Sequence, residues 1–212
     1  MAQMKRILFI TGTDTGIGKT FLAVRLIKQL RSSGINAAGL KPICSGGRSE
    51  AKQAYDAMNG ALSLDEINPW HFKAAIAPLL AARQERKKVK LSQVTSHVHA
   101  MQKRFDVLVV EGAGGLLSPL GENFDSRDLI VALRALPIIV APNRLGVVNH
   151  ILLTLEALPK NLRTKVFVIL MPQRKPDTAA KTNTKLLGEF FNPKRILTAN
   201  DPKLLSKITG TF

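Results

Sequence analysis

A run of nine residues, Gly12-Thr13-Asp14-Thr15-Gly16-Ile17-Gly18-Lys19-Thr20, constrains the fold of this chain more tightly than any other stretch. The compact apolar segment Lys5–Thr11 enters it with strand character. Lys19–Ser33 leaves it as a helix, with Leu22, Leu26 and Leu30 four residues apart and Gly34 as the stop signal. A strand that turns through glycines into a helix start aims consecutive backbone N–H groups at one point, which makes a concave anion site. Gly16 and Gly18 permit backbone conformations and close approaches that a Cβ would block. Lys19 brings a positive charge to β- and γ-phosphates, and the Thr20 hydroxyl is placed to ligate magnesium.

The spacing narrows the class. The usual phosphate loop reads G-x-x-x-x-G-K-[ST]. Here five residues separate Gly12 from Gly18, and Thr13 stands in the first glycine's place. This disfavours a routine GTPase or kinase. ParA-type partition ATPases carry a signature lysine early in the loop, and the corresponding position here is Asp14.

Beyond the loop, strand-length apolar runs alternate with helical patterns. Asn36–Leu40, Asp106–Glu111, Pro137–Ala141 and Lys165–Leu170 read as strands, apolar on both faces as in a covered parallel sheet. Leu91–Arg104, Asp128–Arg134 (with Ser126 as N-cap) and Val147–Leu158 read as helices. The expected fold is α/β, a doubly wound, mostly parallel sheet with ligands at the carboxyl ends of its strands. No repeat or low-complexity linker divides the chain, so 1–212 reads as one domain. Ser45–Lys90 is the least legible part, with a helix around Glu50–Met58 and turn signals at Asn68-Pro69 and Pro78.

Composition bounds the setting. A hydrophobic share of 45% with 22% charged residues suits a globular chain. A single cysteine, Cys44, excludes a disulfide framework and suits a reducing compartment. The start makes a poor signal peptide, and no stretch approaches the roughly 20 apolar residues that span a bilayer, so a cytoplasmic protein without membrane partners is expected. The charge is unusual, with 31 Lys and Arg against 15 Asp and Glu for a net +16. The basic residues are scattered, apart from Arg86-Lys87-Lys88-Val89-Lys90. Aromatics are 5% and none are interleaved with them as stacking platforms, which disfavours nucleic acid as a partner.

Four further segments line up with one family. Gly-Thr-Asp-Thr-x-x-Gly-Lys-Thr resembles the opening of the dethiobiotin synthetases. Lys41-Pro42-Ile43-Cys44-Ser45-Gly46 is similar to that family's Lys-Pro-x-x-Ser-Gly. Val110-Glu111-Gly112-Ala113-Gly114-Gly115, continuing to Pro119-Leu120, is similar to its Val-Glu-Gly-Ala-Gly-Gly. Leu145-Gly146-Val147-Val148-Asn149-His150 resembles its Leu-Gly-x-x-Asn-His helix start, and Asn68-Pro69-Trp70-His71-Phe72 its Asn-Pro-Tyr-x-Phe. The resemblance covers residues 5–160.

The resemblance implies an ATP-dependent ligase of biotin synthesis. Its diamine substrate, 7,8-diaminopelargonate, captures CO2 as a carbamate, which is phosphorylated by ATP and closed to a cyclic urea. It implies that Lys19, Lys41, Thr15 and Ser45 act on the reacting groups. Residues Thr13 to Thr20, with Glu111, Gly112 and Gly114, would hold the nucleotide, and Thr20 and Glu111 its Mg2+. Thr15, Lys41, Ser45 and Gly115 would touch the diamine. Its carboxylate would rest on Leu145, Gly146 and Asn149 of a partner subunit, which implies a homodimer. The physical roles suit the residue types, because phosphoryl transfer is helped mainly by positioning and charge neutralisation. A ParA-like switch ATPase and an inactive, nucleotide-binding family member are the competing readings.

The chain departs from the family pattern in two places. The second acidic metal ligand, usually an Asp before Ala, is replaced by Glu50-Ala51, with Asp56-Ala57 six residues on; position favours Glu50. The Asn that reads the base after the strand Lys165–Leu170 is missing, because Leu170-Met171-Pro172-Gln173 stands there. The family's later Gly-x-x-Pro is likewise replaced, by Asn192-Pro193-Lys194-Arg195-Ile196-Leu197. His97 and His99 point to different faces of a helix and make no metal pair. Cys44 beside Lys41 is either a small packed residue or a thiol of lowered pKa. With the triphosphate loop intact and the base reader absent, ATP and CTP are expected to bind and turn over similarly. Parallel steady-state assays check this, and a preference for ATP above about a hundredfold, the scale of a hydrogen-bonding pocket, contradicts it.

Overall fold

The computed structural model describes residues 5–210. From β1 (Arg6–Gly12) the chain passes through the glycine loop into α1 (Lys19–Ser32). It continues through β2 (Ala37–Leu40), β3 (Ile43–Ser45), α2 (Ser49–Ala57), α3 (Leu64–Ile67), β4 (Trp70–Phe72), α4 (Pro78–Gln84) and α5 (Leu91–Gln102). Next come β5 (Val107–Glu111), β6 (Pro119–Gly121), β7 (Phe124–Asp125), α6 (Ser126–Ala132), β8 (Leu136–Pro142) and α7 (Val147–Ala157). The last elements are α8 (Lys160–Arg163), β9 (Phe167–Met171), α9 (Asn183–Gly188), β10 (Ile196–Thr198) and α10 (Leu204–Thr209).

Six parallel strands form the main sheet in the order β10-β9-β8-β1-β5-β2, with β1 in its centre. All five residues of β5 and of β9 are buried, which explains why both strands read as unbroken apolar runs. Helices flank the sheet. Leu22, Leu26, Ile27 and Leu30 form the buried stripe of α1, which packs on β2, β5 and α2. The expected doubly wound α/β fold is the observed one. Strand register then sets the site: Ile10 pairs with Glu111 and Gly12 with Val140, so the glycine loop emerges beside the end of β5.

The expected elements are present with ends shifted by a residue or two. One assignment changes: Asp125, not Ser126, caps α6. Its carboxylate accepts from Asp128 N–H, and the Asp128 carboxylate in turn accepts from Asp125 N–H. Ser126 instead begins the helix and is buried. The opaque 45–90 region resolves into α2, α3 and α4 around a two-stranded parallel ribbon, β3 with β4. Each ribbon strand has three residues, too short to display a period.

The bolt of this region is Asn68. It is fully buried, donates to Lys41 O at 2.6 Å and accepts the Cys44 thiol at 3.1 Å. Lys41 N–H in turn donates to Ile67 O at 3.0 Å, so the Lys41-Pro42 turn is held from both sides. What read as a turn signal is therefore a packing device. Late in the chain, β10 extends the sheet beside β9 where no strand was expected. Among the described residues no helix is long and apolar enough to cross a membrane.

Ile138, fully buried on β8 next to β1, reports on this core. Ile138→Ala is expected to cost about 2–5 kcal/mol through lost burial and a residual cavity, read as a lowered urea midpoint at unchanged slope.

Candidate nucleotide and substrate site

The glycine loop sits in the register its spacing demands. Thr13 N–H donates to Val140 O at 3.1 Å, tying the loop to β8. Gly16 and Gly18 have φ of 70° and 100°, in the left-handed region that glycine enters without strain. Asp14 shapes the turn itself: its side chain accepts from Thr15 N–H at 2.7 Å, and its carbonyl accepts from Lys19 Nζ at 2.6 Å. Thr20 lies in the first turn of α1, and its hydroxyl donates to Glu111 Oε1 at 2.8 Å.

Lys41 is the hub. Its side chain is 2% exposed, yet its ammonium lies 3.0 Å from Glu111 Oε1, 2.7 Å from Glu50 Oε2 and 2.7 Å from Gly112 O. Glu111 is buried and Glu50 is 44% exposed, open to the cavity. Burial pushes Lys41 down, but the two carboxylates outweigh it and hold its pKa above the ordinary lysine value. Lys19 goes the other way: burial, and then repulsion from Lys41, lower it to about 8.

These groups line a cavity of about 650 Å³ at the carboxyl edge of the sheet, together with Thr15, Gly16, Gly18, Ser45 and Gly114. The two candidate acids differ in placement. Glu50, in the first turn of α2, points at Lys41, whereas Asp56 is exposed further along the helix and does not line the cavity. Ser45 donates its hydroxyl proton to Ile76 O at 2.6 Å, so it offers lone pairs to the cavity. Gly112 N–H is spent on Ile10 O and Gly115 N–H on the Ser118 hydroxyl, which leaves Ala113 and Gly114 as the wall of this segment. Gly114 has φ of 67°, and a Cβ there would lie 2.3 Å from Ser118 Oγ.

Sequence reasoning missed Ala75, Ile76 and Pro78, which overhang the cavity, and Ser118. The first three carry no chemistry-bearing side chain, so no motif could have flagged them. Leu145, Gly146 and Asn149 do not join the cavity of their own chain. Leu145 is 76% exposed at the start of α7, Gly146 caps that helix at φ 86°, and Leu145 N–H donates to Asp177 Oδ2 at 2.7 Å. Met171 ends β9 with its side chain against Gly18, and Gln173 turns its amide back onto Met171 O. Cys44 is the packed alternative, since its thiol bonds Gly47 O and Asn68 Oδ1 and burial pushes its pKa up. His97 bonds Glu66 O and sits edge-on to Trp70, away from exposed His99, and no metal-holding group of three or more His, Cys, Asp or Glu occurs among the described residues.

Residues 6–208 match the family model described as an AAA domain. A curated relative from Akkermansia muciniphila, named ATP-dependent dethiobiotin synthetase BioD, is 37% identical over 186 residues, covering 87% of both chains. The chain belongs to the dethiobiotin synthetase family. Relatives of the same name from Anaeromyxobacter dehalogenans and Methanococcus vannielii agree. The first is 43% identical over 72% of this chain and 70% of its own; the second is 33% identical over 92% and 94%. Among solved structures, a ParA family ATPase from Chlorobium tepidum covers 97% of this chain and 90% of its own at a TM-score of 0.56 and 10% identity. MinD in an Aquifex aeolicus MinC:MinD complex matches at 0.56 and 14%, covering 97% and 85%. At such identities these share the phosphate-loop fold and nothing more. The motifs of the glycine loop, the Lys41 turn and the end of β5 line this one cavity, and the α7 start follows the carboxyl end of β8 without joining it.

The lowered Lys19 pKa has a measurable consequence. In the free protein Lys19 is charged below about 8 and loses its proton as pH rises through that value, so triphosphate affinity is expected to fall there. A bound triphosphate favours the ammonium, so binding near that pH should take up a proton. Titration calorimetry in buffers of unlike ionisation enthalpy reads the uptake; heat independent of buffer, or an uptake unchanged in Lys19→Met, contradicts it.

Proposed function

We propose that this chain is a cytoplasmic dethiobiotin synthetase that joins 7,8-diaminopelargonate and CO2 at the expense of ATP. The observation that carries the reading is the convergence of Lys19, Lys41, Thr20, Glu50 and Glu111 on one cavity, in a chain whose relatives bear that name. An amine of the substrate attacks CO2 and loses a proton, giving a carbamate. A carbamate oxygen then attacks the γ-phosphorus of ATP and ADP leaves. The second amine attacks the activated carbon, inorganic phosphate departs, and the cyclic urea closes.

Each step generates or moves negative charge, which two lysines are placed to neutralise. Lys19, released from Asp14 O, meets the β- and γ-phosphates. Lys41, released from Glu50, reaches the carbamate and the transferring phosphoryl group. Ser45, its proton committed to Ile76 O, accepts from a substrate amine, and Thr15 lies across the cavity to orient the carbamate. Gly16 and Gly18 let the loop backbone close on the phosphates.

The oxygen-only set of Thr20, Glu111 and Glu50 fits Mg2+, whose remaining sites phosphates and water would fill. When bound, the ion neutralises the β- and γ-phosphate oxygens. Leu145, Gly146 and Asn149 are outside their own chain's cavity, which supports a homodimer in which they receive the carboxylate of the substrate held by the partner.

Protein supplied with the diamine, labelled bicarbonate, magnesium and ATP is expected to yield labelled dethiobiotin by mass spectrometry. Lys19→Ala should lower turnover by about a hundredfold or more. Glu50→Gln should raise the magnesium requirement while Asp56→Asn leaves it unchanged. Absence of product from protein that binds triphosphate would sink the reading.

A further inference from the structure

A second concavity, of about 1000 Å³, opens at the amino ends of the strands. It is built from the start of β1, the ends of α5 and α6, the start of β8 and the α8 turn. The seven residues of β1 separate it from the glycine loop, about 20 Å at roughly 3.3 Å per residue. Nothing in the catalytic reading uses it.

Its lining has two parts. Ile7, Ile130, Leu136 and Leu162 give it an apolar floor. Lys5, Arg6, Arg134, Lys165 and Arg195 give it a cationic rim, beside the polar His99, Gln102 and Asn161, and among the described residues no Asp or Glu lines it. Arg134 and Lys165 are exposed, and neither takes part in an ion pair among the described residues. Arg195 is held at the mouth by a bond to Lys165 O at 2.7 Å and by stacking over Phe167 at 4.6 Å. Part of the net charge of +16 is thus gathered around one hollow.

Concave, mostly apolar pockets of roughly 300–1,000 Å³ with a few convergent polar groups are the usual form of small-molecule sites. A purely polar anion would leave the floor uncovered. A nucleic acid would want an extended track and stacking aromatics, which the floor lacks. An anion with an aliphatic body satisfies both surfaces. We propose that this cleft binds an aliphatic carboxylate, with its chain on the Ile7–Leu136–Leu162 floor and its head at the Arg134–Lys165–Arg195 rim. The site is separate from catalysis and does not depend on the reaction assigned above, although the substrate and product of that reaction belong to the same chemical class.

Calorimetry on the full chain with butanoate, hexanoate and octanoate at low salt tests this. Affinity is expected to climb along the series, by up to about fourfold for each fully buried methylene. The double variant Arg134→Gln/Lys165→Gln, changed only at exposed positions, should keep its thermal midpoint and ATP turnover while octanoate binding weakens at least about tenfold. Leu162→Ser should flatten the chain-length dependence and leave butanoate binding little changed. Equal affinity for the three carboxylates, or octanoate binding undiminished in the double variant, overturns the proposal. So does binding of an oligonucleotide or an anionic phosphatidylglycerol vesicle through Arg134 and Lys165 with no octanoate binding.

Discussion

A lysine ammonium withdrawn from water stays charged only if carboxylates come with it, and Lys41 has two. Glu111 arrives from the end of β5 and Glu50 from the first turn of α2, while Gly112 O supplies a third contact. The pairing joins the central sheet to the excursion between β2 and α5, alongside the Asn68 brace and the packing of α2 on α1. Losing Glu111, the buried partner, would leave Lys41 only Gly112 O and the half-exposed, solvent-screened Glu50 for compensation, whereas losing Glu50 leaves the buried Lys41–Glu111 pair intact. The same geometry keeps a cation among the acids, ready to turn toward an anion.

The glycine loop depends on that arrangement more than its own motif suggests. Thr20 bonds the Glu111 oxygen that also faces Lys41, so loop, β5 and the Lys41 turn share one acceptor. Lys19 is lowered by burial and then by the like charge of Lys41, whereas Lys41 is raised by the carboxylates it touches, against its own burial. Two lysines in one cavity therefore hold unlike proton affinities. A triphosphate entering the site meets one lysine that releases its proton readily and one that keeps it.

Much of the fold was legible. The apolar strands Val107–Glu111 and Phe167–Met171 announce themselves because burial on both faces leaves no polar alternation. The glycine loop, the Lys41 turn and Glu111 were legible because each sits in a short run of residue types that matches the family's motifs. The three-residue strands β3 and β4 were not, since a period needs length, and Asn68 read as a turn although it is a buried brace. Position favoured Glu50 over Asp56 but could not say what either acid faces. Both lie on α2, and only the direction in which the helix presents them to Lys41 separates them.

The sequence by itself determined that a strand, a phosphate loop and a helix follow one another, that a parallel sheet is covered on both sides, and which family the motifs resemble. These are local properties, set by backbone freedom at glycine and by side-chain periodicity. Only the tertiary structure decided which acid faces Lys41, that Ser45 spends its proton on Ile76, that Leu145 and Asn149 stand apart from their own cavity, and that scattered basic residues gather at the amino-end cleft. Those facts depend on contacts between segments distant in the chain. Such contacts are fixed by how the sheet orders its strands, and no neighbouring residue carries a record of them.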